Sequence, residues 1–217
     1  MNRFNNLMAG ALLAAAALAP HGAHAAVVLD EGFADLAGLS EWERINRSFP
    51  PGVSWFQGNP GVFGAQSGPA DAYAAANFLG AANGMGAVDN WLITPTLTLS
   101  GLTTLSFFTK RELNAGFDDV LEIRFGSGSG LDAASFDTLL VTIGGATPFP
   151  DGWQQWNTDL AVEGEGRFAF RYLGDPAVLG YVGLDTVRVV TAVPEPASVL
   201  LLAGGLGVIG LLRRRRT

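Results

Sequence analysis

An acidic run near the middle of the chain holds the side chains best suited to acid–base chemistry. It consists of Asp118, Asp119 and Glu122. Two carboxyl groups about 5–10 Å apart can hydrolyse a glycosidic bond that lies between them. Nothing in the sequence fixes such a separation, and Asp118-Asp119 is also typical of a loop that leads into a strand. We therefore predict no catalytic residues, and a secreted glycan-processing hydrolase with a carboxylate pair is the alternative.

Tryptophan residues form the second group, because a flat aromatic face can stack on a sugar ring. Most tryptophans in a small sandwich nevertheless belong to its core. Trp91 and Trp156 lie in strand-like contexts, which predicts that they are buried. Trp55 and Trp153 stand next to Gly and Pro turns, so we predict that these two are exposed and bind carbohydrate.

Histidine and cysteine are missing from the region that we expect to remain after processing. The chain has no cysteine, and both histidines, His21 and His24, lie in the predicted signal peptide described below. This composition excludes a Ser-His-Asp triad, a Cys-His nucleophile and a zinc site with His or Cys ligands. It also excludes disulfides, so the stability of the exported domain must come from its core.

The charge of the chain argues against one large class of partner. Eight basic and nineteen acidic residues lie between residues 26 and 191, because Arg3, Arg213–Arg216 and Glu195 belong to the terminal segments. The net charge of this region is therefore −11. Nucleic acids are bound by clustered Lys and Arg side chains, so we predict no nucleic-acid partner.

Short apolar runs separated by glycine-rich turns indicate the fold. In Val120–Phe125 and again in Arg167–Tyr172, apolar and polar residues alternate, which is typical of strands with one buried face. Asp71–Phe78 could form two turns of helix, and Ala133–Leu140 is ambiguous between a turn of helix and the start of a strand. The pattern predicts an all-β, jelly-roll-like β-sandwich.

The N-terminus has the three parts of a secretory signal peptide. Arg3 supplies the positive charge, Leu7–Ala19 the apolar region, and Ala23 with Ala25 an A-x-A cleavage site. We predict export by the Sec machinery and cleavage after Ala25. The predicted segments are a signal peptide (1–25), a β-sandwich domain (26–191) and a C-terminal sorting segment (192–217).

The C-terminal segment has a fixed order of parts. A turn formed by Pro194, Glu195 and Pro196 precedes the uncharged run Ala197–Leu212, which we predict to be a transmembrane helix. Its 16 residues would span about 24 Å, whereas a comfortable span needs about 20 residues. Four arginines follow, and such a cluster prefers the cytoplasmic side of a membrane: Arg213, Arg214, Arg215 and Arg216.

This order of parts resembles the PEP-CTERM sorting signal of Gram-negative bacteria. The resemblance covers about the last 25 residues. It implies recognition by an exosortase, transient anchoring in the inner membrane, removal of the tail, and release to the cell surface or extracellular matrix. The alternative is an ordinary single-span anchor without processing.

The region between the two signals carries a second set of motifs. They are Asp30–Phe33 (DEGF), Asn90–Pro95 (NWLITP), Leu105–Arg111 (LSFFTKR), Asp119–Arg124 (DVLEIR), Phe168–Tyr172 (FAFRY) and Tyr181–Val189 (YVGLDTVRV). Together they resemble the choice-of-anchor J domain, a family related to cleaved-adhesin domains. The resemblance implies a non-catalytic surface module that acts in adhesion or binds exopolysaccharide or other surface glycans. A structural matrix protein without a specific ligand is a third interpretation.

The same resemblance implies a structural Ca²⁺ between the N-terminal segment and the last strand. The candidate ligands by matched position are Glu31 and Asp185, with Asp30, Asp71 and Asp89 as weaker additions. An acidic side chain inside a strand, such as that of Asp185, is costly unless it is paired or metal-bound. The alternative for Asp185 is a salt bridge to Arg171 or Arg188. Related domains often end with two adjacent acidic residues, whereas this chain has Asp185-Thr186.

Overall fold

Two antiparallel sheets pack face to face, and each has six strands among the residues that the structure describes. The structure is a computed structural model that describes residues 24–114 and 116–193. The strands in chain order are β1 (His24–Glu31), β2 (Glu43–Asn46), β3 (Phe56–Gln57), β4 (Ala74–Asn77), β5 (Val88–Ile93), β6 (Leu97–Leu99), β7 (Leu102–Arg111), β8 (Val120–Ser127), β9 (Thr138–Gly144), β10 (Gln154–Ala161), β11 (Gly164–Gly174) and β12 (Tyr181–Val193). The predicted all-β sandwich is confirmed.

The strand order places the first and last strands side by side. The first sheet has the order β10-β7-β12-β4-β3, and β1 pairs with β12. The second sheet has the order β2-β5-β11-β8-β9, and β6 pairs with β11. Short 3₁₀ turns complete the described secondary structure at Leu36–Gly38, Phe78–Gly80, Ala82–Gly84 and Ala133–Ser135.

The core is built from alternate residues of both sheets, as the period-two patterns predict. On β8 the residues Leu121, Ile123 and Phe125 are buried, and β11 contributes Phe168, Phe170 and Tyr172. The ring of Phe107 on β7 meets that of Phe170 edge-on, with 5.3 Å between ring centroids. These contacts join the two sheets into one hydrophobic core.

The sequence allowed two turns of helix at Asp71–Phe78, and this expectation is wrong. Ala74–Asn77 is instead the strand β4, which pairs with β12 on one side and β3 on the other. Alanine has the highest helix propensity, but helix propensity is small for any residue, so hydrogen bonds to two neighbouring strands override it. The ambiguous segment Ala133–Leu140 contains both candidates, a 3₁₀ turn at Ala133–Ser135 and the start of β9.

The targeting segments fall largely outside the described residues. Ala25–Ala192 form one compact unit. The predicted transmembrane helix and Arg213–Arg216 lie beyond the described residues, as does Ala23 of the predicted cleavage site. In residues 24–114 and 116–193, no helix is both long and apolar enough to cross a membrane. Cleavage after Ala25 would leave nearly all of β1 in the mature domain.

Candidate functional site

The outward side of the first sheet presents a polar surface, which we call the outer face. It consists of the outward side chains of three neighbouring strands: Gln155, Asn157 and Asp159 on β10, Thr104, Ser106 and Phe108 on β7, and Arg188 on β12. The alternate residues of these strands, such as Leu105, Phe107 and Val189, are buried in the core. The pleat of the strands therefore turns the polar set towards solvent.

The strand register arranges the outer face in rows. Asn157, Ser106 and Arg188 form one row across the three strands, and Asp159 with Thr104 begins the next. The hydroxyl of Thr104 donates a hydrogen bond of 2.6 Å to Oδ1 of Asp159, so that pair is already satisfied.

The row of Asn157, and Gln155 in the row beside it, keep much of their hydrogen-bonding capacity. Within the part of the chain that the structure describes, the side-chain amides of Gln155 and Asn157 make no hydrogen bond to protein, and both residues are exposed. The side chain of Arg188 is 48% exposed, and its Nε lies 3.8 Å from Oδ2 of Asp30. Exposed amides and a guanidinium are donors and acceptors that suit sugar hydroxyls.

An aromatic cluster borders the outer face near the start of β12. The ring of Phe63 stacks on Tyr73 at 5.1 Å, and the Trp153 ring meets Phe63 and Tyr73 edge-on at 5.7 Å each. Nε1 of Trp153 donates a hydrogen bond of 2.9 Å to the carbonyl oxygen of Gly64, which fixes the indole. A Cβ at Gly183 would lie 2.8 Å from the Trp153 ring, so only glycine lets the indole approach β12.

Lys110 adds a positive charge to this cluster. Its ammonium lies 4.4 Å from the centroid of the Phe63 ring, within the range of a cation–π contact. Trp153 is partly exposed, so one portion of the indole stays open to solvent. The carbohydrate-binding role of Trp153 stays a prediction, and its position beside the outer face is compatible with it.

Trp55 does not lie on the surface, and the interpretation of this residue as an exposed sugar platform is wrong. Its side chain is 2% exposed and belongs to the main core. Its Nε1 donates a hydrogen bond of 3.2 Å to the carbonyl oxygen of Asn90. The nearby turn residues locate the loop correctly, but they do not determine the direction of a side chain that directly precedes β3.

Asp185 has a partner that the sequence did not indicate. Its Oδ2 accepts hydrogen bonds from the backbone N–H groups of Gln66 (2.8 Å) and Ser67 (3.2 Å), and Oδ1 accepts one from the hydroxyl of Thr186 (3.1 Å). The residue is fully buried, and this burial raises the pKa of its carboxyl although the hydrogen bonds oppose the shift. The carboxylate therefore fastens the loop at residues 66–67 to the last strand.

The predicted salt bridge of Asp185 to Arg171 or Arg188 is wrong. Nε of Arg171 pairs with Asp89 at 2.6 Å on the second sheet. The nearest acidic partner of Arg188 in the described chain is Asp30, as noted above. The backbone around Asp185 differs from a regular strand, since Thr186 has a φ of 51° and the register to β7 shifts here.

The calcium assignment stays a prediction. A groove of about 280 Å³ is lined by Asp30, Glu31, Ser67 and Thr186, next to the buried Asp185. Oε1 of Glu31 accepts a hydrogen bond of 2.6 Å from the N–H of Phe33. Within residues 24–114 and 116–193, no group of three or more acidic side chains is placed to hold an ion. The weaker candidate Asp89 lies on β5 of the other sheet, away from this groove.

Two carboxylates of the acidic run, those of Asp119 and Glu122, face opposite sides of the second sheet, and the third residue, Asp118, is exposed. Asp119 is fully buried; its Oδ1 accepts hydrogen bonds from the Tyr172 hydroxyl (2.6 Å) and the N–H of Gly180 (2.9 Å). Glu122 lies on the outward side, where Oε2 pairs with Arg124 at 2.7 Å and Arg171 at 3.1 Å. Asp119 directly precedes β8 and Glu122 lies on it. Carboxylates on opposite faces of a sheet cannot flank the same glycosidic bond.

An ion-pair network that the sequence did not predict lies on the outward side of the second sheet. Arg171 bridges Asp89 and Glu122, and its guanidinium also lies 5.0 Å from the Trp91 ring centroid. Burial raises the pKa of Glu122, but hydrogen bonds and charges from Arg124 and Arg171 outweigh it and lower the pKa. The charged residues that alternate with apolar ones in VLEIRF and RFAFRY could have indicated this network. The network pairs Glu122 with Arg124 and Arg171, whereas Arg167 donates hydrogen bonds to Thr94 and Thr96.

The fold defines a class of protein, an antiparallel β-sandwich that is similar to the cleaved adhesin domains of Lys-gingipain. The chain is similar to the K1 cleaved adhesin domain of Lys-gingipain from Porphyromonas gingivalis W83, with 26% identity and a TM-score of 0.58, over 74% of this chain and 96% of that one. It is also similar to the K3 cleaved adhesin domain of Lys-gingipain, with 24% identity and a TM-score of 0.58, over 77% of this chain and 99% of that one.

The C-terminus matches a known protein-sorting motif. Residues 192–216 match the PEP-CTERM protein-sorting motif, which confirms the first resemblance. The similarity to the cleaved adhesin domains confirms the second at the level of fold. No curated protein matches the chain. A sorting motif of this kind indicates an exported protein that is handled at the cell surface.

Proposed function

We propose that this chain is exported by the Sec machinery, held briefly in the inner membrane, and processed at its C-terminus by an exosortase. The β-sandwich domain then acts at the cell surface or in the extracellular matrix as a non-catalytic adhesion module. The observation that carries this proposal is the order of parts: a match to the PEP-CTERM sorting motif follows directly on a domain with the cleaved-adhesin fold.

The finer part of the proposal is that the outer face binds surface glycans such as exopolysaccharide. Its exposed amides and guanidinium, at Gln155, Asn157 and Arg188, can exchange hydrogen bonds with sugar hydroxyls. Trp153 at the border supplies a partly exposed indole for stacking. Flat strands hold these groups at fixed spacings, which reduces the entropy lost on binding.

The hydrolase alternative has little support from the acidic run. Asp119 is enclosed in the core, where no substrate reaches it, and Glu122 is engaged by two arginines. A surface domain without catalysis also fits the name of the structural relatives, which are called adhesin domains.

Binding of the exported protein to an array of bacterial exopolysaccharides tests the glycan proposal. We expect saturable binding that Arg188→Ala weakens about tenfold, as for loss of a charged hydrogen-bond donor. Arg44→Ala is the matched control, because Arg44 is also an exposed arginine on a strand, but in the second sheet. No binding to any glycan, or equal loss in both variants, would contradict the proposed role of the outer face.

A further inference from the structure

One end of the domain exposes a group of apolar side chains, which we call the tip. Its members come from the loop at residues 48–53 and the turns at residues 78–87. The exposed fractions are 80% for Phe49, 49% for Val53, 39% for Phe78, 38% for Leu79 and 62% for Met85. Large apolar side chains that are exposed singly need no explanation, but a contiguous set of them marks an interaction surface.

Backbone hydrogen bonds hold the two segments of the tip together. The N–H of Val53 donates to the carbonyl oxygen of Leu79 at 2.8 Å, and the N–H of Ala82 donates to that of Pro50 at 2.9 Å. The side-chain amide of Asn46 donates to the carbonyl oxygens of both Val53 (3.2 Å) and Gly80 (2.8 Å). The tip is therefore a contiguous and preorganised surface, and little order is lost when a partner covers it.

The tip is uncharged, in contrast with the rest of the domain. Between Ser48 and Val88 the chain has a single charged residue, Asp71, whereas residues 26–191 together carry a net charge of −11. Two copies of such an acidic domain repel each other when most of their surfaces approach. The tip is a surface through which two copies can meet without opposing charges in the contact.

The position of the tip also restricts its partner. Asn77, which leads into the tip, pairs with Tyr181 at the start of β12. The chain leaves the domain at the other end of this strand, and Tyr181 to Thr191 spans about 33 Å. The tip therefore lies at the end of the domain opposite to the start of the sorting segment.

The exposed area fits a weak dimer. The exposed parts of the five side chains amount to roughly 500 Å² per copy, judged from the usual areas of aromatic and aliphatic residues. Two copies would bury about twice that area, which is near the lower limit for a specific interface. Interfaces of this size are typical of weak and transient contacts, and many copies on one surface would add their contacts.

We infer that the tip is a self-association surface, through which a second copy of this chain binds in a two-fold arrangement with Phe49 and Met85 as its anchors. A two-fold contact uses the same patch on both copies, so one uncharged apolar surface is sufficient to form it. This inference concerns a surface separate from the proposed glycan-binding face.

Sedimentation velocity of the exported protein over a wide range of concentrations tests this inference. We expect the weight-average sedimentation coefficient of the wild type to rise with concentration towards that of a dimer. Phe49→Ser and Met85→Ser should each raise the dimer dissociation constant about tenfold or more, and Met85→Lys should abolish the dimer by placing like charges in the contact. Because Phe49 and Met85 are exposed, replacing them should leave the core intact.

Leu102→Ser provides the matched control. Leu102 is 62% exposed, the same as Met85, but it lies at the other end of the domain, where β7 begins beside Thr191. This variant should dimerise like the wild type. A wild type that stays monomeric at every concentration, or an equal loss in Leu102→Ser, overturns the inference. Binding of the wild type to neutral phosphatidylcholine vesicles that Met85→Ser removes would also overturn it, because lipid would then be the occupant. Each of these results leaves the glycan proposal standing, since that proposal uses the outer face.

Discussion

The hydroxyl of Tyr172 donates a 2.6 Å hydrogen bond to Oδ1 of Asp119 inside the core of the sandwich. Oδ2 of the same carboxylate is buried and has no hydrogen-bond partner among the described residues. Burial raises the pKa of the Asp119 carboxyl above its ordinary value of 3.8, although the hydrogen bonds from Tyr172 and Gly180 lower it in part. The carboxylate of Asp119, a member of the acidic run that could have formed a hydrolytic pair, is thus a structural group.

This raised pKa predicts a pH-dependent stability. Between the ordinary value and the raised value, folded Asp119 binds more protons than the unfolded chain, so the free energy of unfolding falls as pH rises through that window. We expect chemical denaturation to show a contribution of Asp119 to stability that is lost as pH rises above the ordinary pKa of 3.8, and Asp119→Asn to remove that contribution. Asp118→Asn is the control, because Asp118 is exposed. An unchanged slope in Asp119→Asn would show that another group causes the dependence.

Loss of the Asp185 side chain should have a large effect on stability. Replacement by Ala leaves the N–H groups of Gln66 and Ser67 without their acceptor and frees the loop from β12. We expect Asp185→Ala to lower the free energy of unfolding by about 2–4 kcal/mol, as for other buried hydrogen-bonded polar groups. Hydrogen exchange at residues 66 and 67 should rise in the same variant. Normal protection of these two amides would contradict the role of Asp185 as the anchor of this loop.

Calcium can be separated from this hydrogen-bonded role by thermal unfolding. If a Ca²⁺ ion occupies the groove at Glu31 and Thr186, the Tm rises when Ca²⁺ is added and falls with a chelator. Glu31→Gln should then remove the response, while Glu41→Gln, a change elsewhere on the surface, should keep it. A Tm that is equal with calcium and with chelator would remove the calcium assignment and leave hydrogen bonds as the sole partners of Asp185.

Trp55 and Trp153 should respond differently to replacement by alanine. Trp55 is in the core, so Trp55→Ala should cost about 3–5 kcal/mol of stability and leave the glycan affinity of the folded fraction unchanged. Trp153 is partly exposed beside the outer face, so Trp153→Ala should weaken glycan binding with a smaller loss of stability. Unfolding curves and binding isotherms on the same samples distinguish the two effects. Equal glycan affinity in Trp153→Ala and the wild type would exclude the indole from the site.

Strand positions were predictable from the sequence where local and tertiary preferences agree. The alternation in Val120–Phe125 and Arg167–Tyr172 correctly gives the buried and outward faces of β8 and β11. In Ala74–Asn77 the local and tertiary preferences disagree. The alanines favour helix, whereas the strands β3 and β12, which become neighbours only in the folded chain, supply hydrogen bonds to a strand.

Side-chain partners were less predictable, because they depend on contacts between residues far apart in the chain. The partners of Asp185 lie 118 and 119 residues away, and no local pattern indicates them. The outer face likewise exists only once β10, β7 and β12 are neighbours in one sheet. Local patterns therefore identified strands and the PEP-CTERM motif, whereas the site required the topology.

The sorting motif predicts a defect that is independent of the domain. Removal of Arg213–Arg216, or Glu195→Gln within the motif, should leave the domain folded but trap the precursor at the inner membrane. Cell fractionation followed by detection of the domain measures this. As a control, Glu163→Gln changes a domain carboxylate on the short turn between β10 and β11 and should not affect release.

The intact mass of the protein recovered from the cell surface or the medium tests the account most directly. We predict a polypeptide that has lost residues 1–25 and the apolar and arginine-rich part of residues 192–216. A released protein that still carries Arg213–Arg216, or a protein found solely as an uncut chain in the inner membrane, would contradict the claim that this segment is a removable sorting signal.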